Sequence, residues 1–328
     1  MTFLIFIIVI VLIFDFINGF HDSANSIATV VSTKVLSPIA AVALAATFNF
    51  VAFLIFPLKV AKTMGSGVIN TEIVTLELIA AAVIAAIIWN LITWWLGLPS
   101  SSSHTLVGGL VGAAIAGSGF GSVIYSGVLK IGAFIVIAPV LGMLMSYLIT
   151  LIVLHIVQKR SPFGVDKHFR RLQLLSASAF SLGHGGNDAQ KSMGIIWVAL
   201  YAMGKVPRDS DPALWIVLSC HTAMALGTLF GGWRIVKTMG QKITKLKPFE
   251  GFCAETAGAA TLFMATALGI PVSTTHTITG AIIGVGATKR ASAVKWGVTT
   301  KIFWAWILTI PVSAIIGAAI FYIIRVIV

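Results

Sequence analysis

The sequence predicts an all-α polytopic membrane protein built from two inverted-topology repeats, with broken helices or re-entrant hairpins among about 10–12 membrane segments. Three observations predict it. The 328 residues are 58% hydrophobic and only 10% charged, with a mean hydropathy of +1.01, whereas soluble domains carry about 25% charged residues. Short motifs recur in the same order in both halves. The basic residues behind the net charge of +12 are gathered into a few loops.

Apolar runs at 3–13, 39–56, 73–96, 131–157, 213–230 and 302–328 supply the segments, several reaching or nearing the roughly 20 residues a helix needs to cross the hydrocarbon layer. The first lacks a basic region ahead of it, carries Asp15 and runs into a polar motif instead of a cleavage site, so it reads as a structural helix and not a signal peptide. The first half is expected to span at 3–33 (broken near Gly19), 39–58, 73–96, 99–118 and 131–157. The second repeats this at 173–203 (broken near Gly185), 213–233, 251–269, 271–287 and 298–325. An odd number per half turns the halves over relative to each other. The domains are a first inverted repeat at 1–157, a basic cytoplasmic linker at 158–172 and a second inverted repeat at 173–328.

Loop charge agrees with the inversion. Loop 234–250 carries Arg234, Lys237, Lys242, Lys245 and Lys247, while its counterpart at 59–72 carries Lys59, Lys62 and Glu72. Basic short loops mark the cytoplasmic side, which also claims Lys159, Arg160, Lys167, Arg170 and Arg171, then Lys289, Arg290 and Lys295. Loop 204–212, where Lys205 and Arg208 offset Asp209 and Asp211, then falls outside, as do both termini. The expected location is the cell inner membrane, multi-pass. The positive charge reports topology, not nucleic-acid binding, and Cys220 and Cys253 give neither a disulfide framework nor a metal spacing.

Three motifs carry the duplication. Pro99 to Thr105 (PSSSSHT) reappears at Pro271 to Thr277 (PVSTTHT), and Lys62-Thr63-Met64-Gly65 as Lys237-Thr238-Met239-Gly240. Gly19 to Ser26 (GFHDSANS) parallels Gly185 to Ser192 (GGNDAQKS). Glycines around each acidic motif allow the backbone to unwind, and irregular backbone at membrane depth is tolerated only against protein or a polar cavity. Paired breaks of this kind mark secondary transporters, whose sites lie near the midplane.

Asp22 and Asp188 match across the halves, and an intramembrane carboxylate is a functional site by default. Both are expected to hold a cation, Na⁺ included, with Asn25 and Asn187 as neutral oxygen donors; Glu255 is a weaker coupling candidate. Ser101, Ser102 and Ser103, with Ser273, Thr274 and Thr275, precede helical segments whose free N–H groups suit an oxyanion. Such an anion beside two aspartates requires a neutralising cation, which implies a cation-coupled symporter. Lys191 stands where the first half has Asn25, and either pairs with Asp188 or contacts the anion. His104 and His276 are expected to be hydrogen-bonded helix histidines, with a proton relay as the alternative. No GxxxxGK[ST], HExxH or GxSxG pattern occurs, so nothing points to an enzyme or to ATP.

The duplicated acidic and hydroxyl motifs resemble those of the inorganic phosphate transporter (PiT) family, here in a short prokaryotic form. The resemblance covers essentially the whole chain. It implies a homodimeric carrier in the lipid bilayer that moves inorganic phosphate with Na⁺ or H⁺ and needs no other cofactor. The resemblance puts Asp22, Asn25, Asp188, Ser101–Ser103 and Ser273–Thr275 at the central ion and phosphate site. Taken with the reading of the residues themselves, Ser101–Ser103, Ser273–Thr275, Asn25, Gln190 and Lys191 are expected at the phosphate, and Asp22, Asn25, Asp188, Asn187 and Glu255 at the cation. The chain departs from the signature at His21, where the family has Asn, and at Gln190-Lys191, where it has Ala-Asn. A sulfate permease of the same fold is the alternative, and an anion channel a more distant one.

Overall fold

The computed structural model describes residues 2–207 and 210–327 and is all-helical, with twelve α-helices among them. Arg208 and Asp209, and with them the charge balance of loop 204–212, lie outside the described residues. Each half runs through the same six helices. The first has α1 (Thr2–Ser32), α2 (Pro38–Val51), α3 (Lys59–Ser66), α4 (Leu76–Leu96), α5 (Ser102–Ser118) and α6 (Tyr125–Val157). The second has α7 (Pro162–Ala202), α8 (Leu214–Phe230), α9 (Trp233–Lys237, continued by a π-turn at Thr238–Lys242), α10 (Pro248–Ala267), α11 (Thr274–Lys289) and α12 (Trp296–Ile327).

Local signals set several of these boundaries. Ser37 and Ser161 cap helices that begin with proline, a residue whose missing N–H is harmless at that position. Thr75 caps α4, which ends at Gly97 in the left-handed region, a stop that glycine accepts without strain. The linker expected at 158–172 is mostly helix: α7 begins at Pro162. Short helices α3 and α9, which carry the two KTMG motifs, are sharp turns after α2 and α8, with bends of 85° and 60°. Among the described residues four helices are long and apolar enough to cross a membrane, or six when each bent pair counts as one span.

The expected breaks at Gly19 and Gly185 are absent. Both α1 and α7 run unbroken through their acidic motifs. The glycines serve packing instead: a Cβ on Gly19 would lie 2.1 Å from the Met224 carbonyl oxygen of α8, and one on Gly185 2.4 Å from the Asn49 carbonyl oxygen of α2. Small residues let helix backbones approach in this way. The irregular backbone lies elsewhere, at 97–101 between α4 and α5 and at 268–273 between α10 and α11. These are the tips of two helical hairpins, and both tips are buried: Ser100, Ser101, Ser273 and Val272 are at most 1% exposed.

The halves exchange partners. Helix α1 packs on α8 and α7 on α2; α5 packs on α12 and α11 on α6; α3 packs on α7 and α9 on α1. Two apolar cores result, one around α4, α5 and the C-terminal half of α7, the other around α10, α11 and the C-terminal half of α1. Outside them, α6 and α12 present exposed apolar side chains such as Val136, Leu148, Ile315 and Ile323, as expected of helices facing lipid.

Candidate functional site

Four elements meet in the C-terminal halves of α1 and α7: those two helices and the hairpin tips leading into α5 and α11. At each tip one hydroxyl is spent locally. Ser101 Oγ accepts from the His104 N–H at 3.3 Å and Ser273 Oγ from the His276 N–H at 3.2 Å, which caps the two helices. The following hydroxyls turn to the aspartates. Ser102 Oγ donates to Asp22 Oδ2 at 3.2 Å, and Thr274 Oγ1 donates to Asp188 Oδ2 at 3.3 Å. Each aspartate therefore meets the hairpin of its own half.

The cross-half links come one turn later. Asn25 Nδ2 donates to Thr275 Oγ1 at 2.9 Å and to Thr274 Oγ1 at 3.2 Å. Lys191 Nζ donates to Asp188 Oδ1 at 2.5 Å, to the Val272 carbonyl at 2.9 Å and to Ser103 Oγ. Of the two roles open to Lys191, the structure takes the pairing with Asp188, and all three ammonium donors are used. Ser103 also donates to the Val272 carbonyl, at 3.3 Å, which joins the two tips.

Asp22, His184 and Asp188 each offer a ligand atom, and these atoms lie within 4.8 Å of one another. His21 Nδ1 sits 2.6 Å from Asp22 Oδ1, and His184 Nε2 3.5 Å from Asp188 Oδ2. Two carboxylates this close repel by about 3–4 kcal/mol at an effective dielectric of 20; Lys191 offsets Asp188, and the net negative charge that remains, with the carboxylate oxygens, suits a cation. The N-termini of α5 and α11, of 17 and 16 residues, are brought together where Ser103 bonds the Val272 carbonyl, and helix N-termini suit an anion. Every residue of this set is at most 2% exposed. The site is occluded from both sides.

Two assignments do not join it, and a third joins it only in part. Gln190 faces away: its Oε1 accepts the N–H groups of Val60 and Ala61 at 3.0 and 3.2 Å, and its Nε2 donates to the carbonyls of Pro57 and Gly186. Its amide is consumed in capping α3. Glu255 accepts from Gln173 Nε2 at 2.9 Å and from Ser176 Oγ at 2.5 Å; Ser176 precedes Asp188 on α7 by twelve residues, about 18 Å of helix. Asn187 anchors the second tip through Nδ2, which donates to Thr266 Oγ1 at 2.9 Å and to the Ile270 carbonyl at 3.1 Å, while its Oδ1 is buried without a partner. His21, its counterpart, reaches Thr93 Oγ1 at 3.2 Å, so the unlike pair do one job.

His104 and His276 also differ from expectation. Their rings meet at 4.9 Å between centroids, and His276 stacks on Trp306 at 4.0 Å, with no polar side chain bonded to either. Asp15, which sequence reading used only against a signal peptide, is fully buried with both oxygens unpartnered, beside Asn18, Ser192 and Cys220.

The KTMG motifs acquire a place here too. On one side Thr63 Oγ1 donates to the Gly269 carbonyl at 2.7 Å and Lys59 Nζ to the Ala267 carbonyl at 3.0 Å. On the other, Thr238 Oγ1 donates to the Gly97 carbonyl at 2.9 Å and Arg234 Nη1 to the Trp95 carbonyl at 2.7 Å. Each short helix thus latches the C-terminal end of the other half's α4 or α10, where a cation also meets the negative end of the helix dipole.

The phosphate transporter family model matches residues 18–317. A Rhizobium meliloti (strain 1021) protein, “Probable low-affinity inorganic phosphate transporter”, is 57% identical over 97% of this chain and 96% of its own length. A Bacillus subtilis (strain 168) protein of the same description is 45% identical over 98% and 97%. A solved structure, “The sodium-dependent phosphate transporter”, superposes with a TM-score of 0.91 at 26% identity, covering 100% of both chains.

Proposed function

The chain belongs to the phosphate transporter family, and from that premise we propose that it is a secondary active transporter, performing cation-coupled symport of inorganic phosphate by alternating access. Its relatives are transporters and not enzymes. The observation that carries the reading is the meeting, at one buried point, of two hydroxyl-bearing helix N-termini with a pair of aspartates. Helix N-termini and hydroxyls favour an oxyanion, and the aspartates oppose it unless cations intervene.

Phosphate would be held by Ser102, Ser103, Thr274, Thr275 and Asn25, with Ser101 and Ser273 fixing the helix starts. A coupling cation, Na⁺ or H⁺, would sit with Asp22 and Asp188. Because cation and anion each neutralise the other's repulsion, neither binds well alone, and that mutual dependence is coupling. The occluded site must open to one side at a time, and the paired latches at Gly97 and Gly269 are suited to hold each side shut.

The two inverted repeats of this reading, 1–157 and 173–328, place the basic loops in the cytoplasm and both termini outside the inner membrane. The protein is proposed to act as a homodimer, which light scattering on the detergent-solubilised protein tests: a monomeric mass refutes it.

Uptake of labelled phosphate into proteoliposomes, with Na⁺ and pH gradients imposed separately, tests the proposal. One of the two gradients is expected to drive accumulation. Phosphate equilibrating at the same rate without either gradient would refute symport, and sulfate competing as well as phosphate would reassign the anion.

A further inference from the structure

One half of the site holds a buried ammonium where the other holds a neutral amide. Lys191 is 2% exposed and follows Asp188 at the same spacing by which Asn25 follows Asp22. Its Nζ bonds a carboxylate, a backbone carbonyl and a hydroxyl, those of Asp188, Val272 and Ser103. This is the all-oxygen set that a hard cation takes from a protein. Three donors to three oxygens exhaust the ammonium, so none remains for an anion.

The corresponding groups of the first half are Asp22, the Ser100 carbonyl and the Thr275 hydroxyl. There Asn25 bonds Thr275 through Nδ2, and its Oδ1 has no hydrogen-bond partner although it is buried. Asp22 keeps His21 on one oxygen and only the Ser102 hydroxyl on the other. An amide brings oxygen but no charge. A dianion entering beside Asp22 therefore needs a mobile cation, whereas beside Asp188 the charge is already present and bonded to the chain.

We propose, resting on the symport reading above, that Lys191 is a tethered cation. It does in the second half what a transported cation does in the first. The protein consequently moves one coupling cation fewer per phosphate than the same chain with asparagine at 191.

The test measures coupling stoichiometry in proteoliposomes, from the membrane potential that nulls net phosphate flux at a fixed cation gradient, for the wild type and for Lys191→Asn. The variant is expected to move one more cation per phosphate. It should also gain, in detergent, a rise in melting temperature with the coupling cation that exceeds the wild type's. An unchanged stoichiometry in a folded, active Lys191→Asn protein overturns the proposal. If that variant does not fold, Asn25→Lys decides: an ammonium in both halves should remove one cation per phosphate, and the wild-type number refutes the idea. A wild type showing no coupling to either cation would instead sink the symport reading, which separates the two failures.

Discussion

At the scale of single residues, neighbours in sequence divide between ligand chemistry and architecture. Asp22 and Asp188 face one another across α1 and α7 with a hydroxyl from each hairpin, so Asp22→Asn and Asp188→Asn should each abolish gradient-driven phosphate uptake while the protein still folds. Normal uptake by both variants would remove the aspartates from the mechanism. Gln190, two residues past Asp188, has every amide atom bonded to backbone of α3, of Pro57 just before it, or of its own helix. Gln190→Ala should leave the phosphate KM unchanged and destabilise the fold, because unpaired buried groups cost about 1–3 kcal/mol. A large KM increase with an unchanged melting temperature would return Gln190 to the phosphate site.

At the scale of elements, the short helices α3 and α9 hold the hairpins. Each contributes one threonine and one cation to the carbonyl end of α10 or α4. A single such hydroxyl bond is worth about 0.5–1.5 kcal/mol, and 1 kcal/mol changes a two-state ratio by about fivefold. Thr63→Val should therefore favour opening on the α3 side and Thr238→Val on the α9 side. Impermeant thiol reagents reacting with Ser102→Cys, in a background without Cys220 and Cys253, read this out. About fivefold faster labelling from opposite faces is the expected result. Equal effects on both faces would show that the latches only stabilise the fold.

At the scale of the whole molecule, the exchange of partners between halves sets two similar latches around one site. In the proposed inverted arrangement these latches lie on opposite faces of the membrane. Reporters fused at either terminus should then be accessible from outside the cell. A cysteine at Lys159 should be labelled only from the cytoplasm. Termini found inside would reverse the topology without altering the internal packing.

Much of this was legible in the chain. Apolar runs, the three duplicated motifs and the loop charges announce a polytopic helical protein with two related halves, because hydrophobic length, repetition and Lys/Arg placement are properties of sequence. The hydroxyl clusters and matched aspartates were legible for the same reason, as buried polar groups need partners. Glycine near an aspartate was not decisive: it permits both an unwound helix and a close helix crossing, and only Met224 and Asn49 packed against Gly19 and Gly185 select the crossing. Likewise nothing in sequence says where a long side chain points. The fold sent Gln190 to α3, Glu255 to Gln173, and Lys191, beyond its same-turn partner Asp188, to both hairpin tips, since those destinations are made by helices distant in the chain. Sequence determined the class, the duplication and the residue types of the site. Tertiary structure decided which of them meet, because that depends on contacts between residues up to 250 positions apart.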